Sequence, residues 1–350
     1  MNIYEQFKKL QNNLKKEDGD LFISKFDIDF KNEVDYKKVF ENLFEMFHKE
    51  SISSNKIFKT ENLSRSKHTY IVFLLGYLVY TKLGNTKNKY FKNTHYENPE
   101  KQFQLIWFLT GIVHDIFFDI ERKKEYEEFK DLNGDLNSVK KKFSIDNYLI
   151  CNSKYCTELD DKFETFLEIL EKYYKYRYCH DDRIDHGIVA GLVIFDLLVK
   201  HRIKKSSTSC QYWKEELDKL YFEAGLSIAS HNIWSSDSKL KDKNYKDYGL
   251  GILVNSSKKS IFPIKFSEMP FLFLLGLVDT IEPTKTFRNR SVFEILNSLD
   301  INVTKNYLKL RNSKDSKLNF SELTKKVNGL ENWLDVTLCI KQNEIKISWN

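Results

Sequence analysis

Proline and glycine are scarce, at 4 and 12 among 350 residues. Punctuation that thin excludes collagen-like and linker-like chains and favours long helices. Cysteine is sparse as well: Cys151, Cys156, Cys179, Cys210 and Cys339 are odd in number and form no CxxC pair. A disulfide scaffold and a thiolate zinc site are therefore not expected, and Cys151 and Cys156 read as inert. Neither sign of charge dominates, since 56 Lys+Arg against 50 Asp+Glu leave +6. That excess suits phosphorylated ligands without demanding nucleic acid. The longest apolar runs, Tyr70 to Tyr80 and Pro270 to Val278, fall short of the roughly 18 residues a membrane helix needs, so both read as buried core helices. The first twenty residues hold no apolar stretch of the secretory kind, and the expectation is a cytoplasmic protein with no membrane partner.

What is present is a 41% hydrophobic, 30% charged chain, a composition that can bury a large core. Apolar residues at three- and four-residue spacing predict helices at Tyr36 to Phe47, Ser64 to Leu83, Phe103 to about Ile120, Asp160 to Tyr178, within the run His180 to His201, Glu215 to about Ser230 and Ser267 to about Ile281. Polar connectors lie at Asn85 to Glu100 and Ser235 to Lys265. Near the end the pattern changes: Val336, Leu338 and Ile340 alternate, then Ile345, Ile347 and Trp349, which predicts a terminal β-hairpin. The fold class is thus mainly α with a small C-terminal α/β appendage containing that hairpin. By pattern the chain divides into a helical extension (1–55), a central domain (56–300) and the appendage (301–350).

Histidine carries the chemistry. His68, His114, His186 and His231 each lie on or at the edge of a separate apolar helix, whereas His48, His95, His180 and His201 lie in polar stretches. In LTGIVHDIFFDIE a carboxylate follows His114 directly, and neighbouring helical side chains diverge by about 100°. Asp115 can therefore bridge two ions while His114 grips one. Imidazoles and carboxylates without thiolates suit Mn, Fe, Co, Ni, Zn or Mg.

The order His68, His114-Asp115, His186, His231, Asp279, at intervals of 46, 71, 45 and 48 residues, resembles the metal-dependent HD phosphohydrolase superfamily. Its signature is a first histidine, a His-Asp doublet and a distant aspartate, all on helices. The histidine before the doublet, LLGLVDTIEP around Asp279 and the small residues of DHGIVAGLV carry the likeness, over about residues 60 to 290. The additional histidines resemble the two-metal branch, which includes cyclic-nucleotide phosphodiesterases, HD-GYP enzymes and nucleases of CRISPR-associated helicases. His231 is followed by Asn232 rather than a second histidine, and no Gly-Tyr-Pro tripeptide is present, which sets the chain apart from the last two groups. The resemblance implies an HD-domain helical bundle with two divalent ions, one held by His68, His114, Asp115 and Asp279, the other by Asp115, His186 and His231.

The implied activity is hydrolysis of a phosphoester, in a nucleotide or a cyclic or oligonucleotide. Asp115, His114 and Asp185 are the candidate catalytic groups, and Arg65, Lys67, Arg183, Lys285 and Arg288 the candidate phosphate contacts. Blander readings stand beside these. His68, between Lys67 and Thr69, can be an exposed helix-start residue; His186 and His231 can be core histidines bonded to backbone; Asp185 can be a helix cap. His180 competes for the role of His186. Tyr173, Tyr174, Tyr176 and Tyr178 are either a base-stacking platform or helix packing. A nuclease acting on single-stranded DNA or RNA and a non-catalytic nucleotide-binding module are the alternative functions.

Overall fold

The computed structural model describes residues 1–17, 28–32, 35–36, 38–39, 63–87, 99–121, 129–150, 161–205, 217–234, 243–254, 260–313 and 316–350. Helices dominate: α1 (Ile3–Glu17), α2 (Leu63–Lys82), α3 (Pro99–Val113), α4 (Leu136–Lys142), α5 (Asp161–Cys179), α6 (His186–Lys205), α7 (Asp218–Ser230), α8 (Pro270–Ile281) and α9 (Val292–Asn297). Strands β1 (Leu299–Val303) and β2 (Tyr307–Asn312), helix α10 (Phe320–Val327), and strands β3 (Val336–Lys341) and β4 (Glu344–Trp349) follow. Cys151, Cys156, His48 and His95 lie outside the described residues. Among the described residues no helix is long and apolar enough to cross a membrane.

By contact the chain divides into two compact units, Met1–Asn93 with Leu274–Asn350, and Thr94–Phe273. The pattern-based divisions at 55 and 300 both fall inside the first of these. In that unit α1 buries Ile3, Phe7, Leu10 and Leu14, one face of the helix, and packs against α2, α9 and β1. Most of the predicted lead-in helix at Tyr36 to Phe47 lies outside the described residues, although Tyr36 and Val39 are buried. The four strands form an antiparallel sheet in the order β1-β2-β4-β3. The predicted hairpin is β3 with β4, from Val336 opposite Trp349 to Lys341 opposite Glu344. Strands β1 and β2 were not foreseen, because each offers only two or three alternating apolar residues. Gly276 of α8 lies against Trp333, where a Cβ would overlap the indole, so the appendage is packed onto the helix that carries Asp279.

In the second unit α6 and α7 pack closest. A Cβ at Gly191 would lie 2.7 Å from the Ala229 Cβ, and one at Gly187 would lie 2.7 Å from the His231 ring. The small residues of DHGIVAGLV thus let two helices, and one histidine, approach. Helices α3 and α5 both pack on α7. Tyr173, Tyr174 and Tyr176 of α5 are buried, and the Tyr173 hydroxyl donates to the Asn232 carbonyl at 2.8 Å. These rings are helix packing and cannot form a stacking platform.

One boundary needs correction. The helix expected to run to about Ile120 ends at Val113, so His114 and Asp115 stand in the turn beyond it. Tight three-residue bonds take over there, Ile116 N–H to Val113 O and Phe118 N–H to Asp115 O, both 3.0 Å, and wind the chain into a 3₁₀ turn over Phe118–Glu121. That turn packs on α6.

Candidate metal centre

Three histidines of the second unit are placed by helix ends. His114 follows α3, His186 is the first residue of α6, and His231 caps the C-terminus of α7. All three, with Asp115, are buried. Their Nε2 atoms converge on one carboxylate oxygen: Asp115 Oδ1 lies 2.9 Å from His186, 3.6 Å from His231 and 3.7 Å from His114. One ligand atom from each of Asp115, His186 and His231 falls within 4.8 Å of the others.

The far nitrogens decide what the near ones can do. His114 Nδ1 lies 2.9 Å from the Gly111 carbonyl, and His231 Nδ1 lies 2.7 Å from the Ile228 carbonyl. A carbonyl only accepts, so Nδ1 carries the hydrogen on both rings, and in a neutral ring Nε2 is then the acceptor nitrogen on the side of Asp115. Two ring nitrogens that each lie within 4 Å of one buried carboxylate oxygen suit a cation. His186 differs, since it donates from both nitrogens, Nε2 to Asp115 and Nδ1 to Glu121 Oε1 at 2.7 Å. Burial disfavours its charge, but these two carboxylates outweigh burial and push its pKa up to about 9. A proton thus stands where the ring would meet a metal. Glu121 is held below the ordinary carboxylate range, because His186, Arg177 and Arg183 outweigh its burial.

In the first unit His68 is buried and not exposed on a helix start. It lies between two carboxylates, with Nε2 2.9 Å from Asp279 Oδ1 and Nδ1 2.9 Å from Glu282 Oε2. Burial and the Lys285 ammonium favour the neutral ring, yet the two hydrogen bonds raise its pKa. Asp279 also meets Lys285 Nζ at 2.6 Å.

Among the other candidate residues, Asp185 is wholly buried, and its Oδ1 accepts the Ile188 N–H at 3.0 Å. That bond makes it the N-cap of α6, the helix that His186 opens. Arg183 is mostly exposed, with Nη1 3.7 Å from Glu121. Arg288 is exposed and donates from Nε to the Lys285 carbonyl at 3.2 Å. Arg65 and Lys67 are half-buried on the first turn and a half of α2. His180 stacks on Tyr176 with ring centroids 5.1 Å apart. Glu121, Glu282 and Arg177 escaped the sequence reading. Only Glu282 had a usable signal, its three-residue spacing from Asp279 at a helix end.

The described Asp115, His114, His186 and His231 can hold a divalent ion by the chemistry of their donors. No protein-family model, curated protein or solved structure matches the chain.

Proposed function

We propose that this protein is a metal-dependent phosphohydrolase of the HD type, acting on a phosphoester in a nucleotide or a cyclic or short oligonucleotide. The observation that carries the reading is the convergence of three buried imidazole Nε2 atoms on one oxygen of Asp115. Asp115 is the shared ligand, and His186 and His231 complete its partners in the second unit. The HD resemblance names His114, His68 and Asp279 as further ligands. Bound divalent ions would lower the pKa of coordinated water toward about 7 and offset charge on the phosphoryl oxygens. The chain's own groups do the rest. The carbonyls of Gly111 and Ile228 fix the ring faces of His114 and His231, and Lys285, 2.6 Å from Asp279, is a cation that a phosphate oxygen can meet.

Elemental analysis of the purified protein, run beside a panel of phosphomonoesters, cyclic nucleotides and a labelled single-stranded oligonucleotide with Mn, Mg, Co or Ni, tests this. The expected result is bound metal and turnover of small nucleotides, with Asp115→Ala losing both. Cleavage confined to the oligonucleotide would replace this reading with the nuclease one, against which the buried tyrosines weigh. Nucleotide binding without product would leave a non-catalytic module, and retained turnover in Asp115→Ala would overturn the centre itself.

A further inference from the structure

Three histidines surround Asp115, but only two are oriented by their own chain segment. His114 and His231 each donate Nδ1–H to the carbonyl three residues earlier, Gly111 and Ile228. His186 has no such carbonyl, because it opens α6 and the residue three back, Arg183, belongs to the non-helical link before the helix. Its Nδ1 must be satisfied from elsewhere, or the ring is free to turn about χ2. Glu121, 65 residues away on the 3₁₀ turn, does this at 2.7 Å.

Nδ1 and Nε2 lie on opposite sides of an imidazole, so Glu121 and Asp115 grip opposite edges of the His186 ring. Glu121 therefore stands outside the group formed by Asp115, His186 and His231, and acts on it only through the ring. It is itself braced. Arg177 Nη2 lies 3.5 Å and Arg183 Nη1 3.7 Å from its two oxygens. Arg177 also bonds Asp181 Oδ2 at 2.7 Å, and its Nε faces Asp185 Oδ2 at 3.5 Å. Asp185 caps the helix that begins with His186. One half-buried guanidinium thus ties together the group that orients the His186 ring and the group that places its backbone.

We propose that Glu121, braced by Arg177, is a positioning residue that presets His186 with Nε2 toward Asp115 and thereby sets the metal affinity of the second unit's site. The proposal rests on the metal-centre reading above. A carboxylate behind a ligating histidine fixes its orientation and raises its basicity, and losing such a partner weakens metal binding roughly 10- to 100-fold.

Cobalt(II) titration of the full-length protein, followed by visible absorption and calorimetry, provides the test. The parent is compared with Glu121→Ala, Glu121→Gln, Asp115→Ala and, as a surface control, Asp131→Asn, whose side chain is 83% exposed. Glu121→Ala should weaken cobalt binding by roughly 10- to 100-fold. Glu121→Gln keeps an acceptor oxygen and should recover part of that loss, while Asp131→Asn should match the parent. A ¹⁵N spectrum of the metal-free Glu121→Ala imidazoles should show the His186 nitrogens alone altered, which a general loosening of the fold would not produce. Cobalt affinity within twofold of the parent in both Glu121 variants, with Asp115→Ala unable to bind, would sink the positioning role and leave the metal centre standing. Unchanged binding in Asp115→Ala would remove both. Glu121→Gln is close to isosteric, so a Glu121→Ala chain that fails to fold passes the decision to it: a Gln affinity equal to the parent's overturns the role of the charge, and a weakened one supports it.

Discussion

The two units hold a histidine in the same way and brace it differently. His68 sits between Asp279 and Glu282, both at 2.9 Å, and His186 between Asp115 at 2.9 Å and Glu121 at 2.7 Å. Behind His68, the Glu282 carboxylate is wholly buried and accepts the backbone N–H groups of Thr284 at 2.7 Å and Lys285 at 3.0 Å. That clamp is part of a turn and cannot move without breaking backbone bonds. Behind His186, Glu121 is braced by long guanidinium side chains from α5 and the link that follows it, at 3.5 and 3.7 Å. The first clamp belongs to the fold, and the second is an adjustable arrangement of side chains.

The largest expected effect that can break this comparison is on stability. Glu282→Ala strands a buried imidazole and two N–H groups and should destabilise the metal-free protein by about 3–5 kcal/mol, the range for breaking a buried charged pair. Glu121→Ala should cost clearly less, measured by urea denaturation of both. Equal losses would show that the guanidinium brace is as much part of the fold as the turn.

A second test uses a buried carboxylate that lacks such bracing. Burial pushes Glu223 of α7 up to about 7, and Lys219 offsets this only in part. A carboxyl whose folded pKa lies above its unfolded one contributes stability that is fully present below the unfolded value and is lost as pH rises through the folded one. The gap from 4.5 to about 7 corresponds to about 3 kcal/mol at 1.36 kcal/mol per pKa unit. Glu223→Gln should therefore gain on the parent in thermal melts between pH 4.5 and 7, with the difference level above that. A constant difference across the window would refute the burial argument.

The smallest effect concerns the outer brace. Arg183 is 57% exposed and 3.7 Å from Glu121, so Arg183→Gln should change stability by no more than about 1 kcal/mol. Any loss of cobalt affinity should vanish in high salt, which screens exposed pairs. A loss that persists in high salt would move Arg183 into the fixed part of the clamp.

How much of this was legible beforehand depends on the kind of signal. The apolar helices, the terminal hairpin and the burial of His68, His114, His186 and His231 follow from periodicity and from the apolar setting of each histidine. The end of α3 at Val113 was not legible, because apolar residues continue through Ile116 and Phe118 and only the hydrogen-bond pattern changes there. Asp185 was readable as either a cap or a reacting group, and the bond from the Ile188 N–H shows the cap.

Residue order by itself determined which side chains carry donors and which stretches must be buried, since both are properties of composition and period. Tertiary structure alone decided which ring nitrogen faces which oxygen. Glu121 reaches His186 across 65 residues, and Glu282 reaches His68 across 214. A hydrogen bond is specified within a few tenths of an ångström and by direction. Periodicity reports only which face of a helix is dry, so partners of this kind stay invisible until the helices are packed.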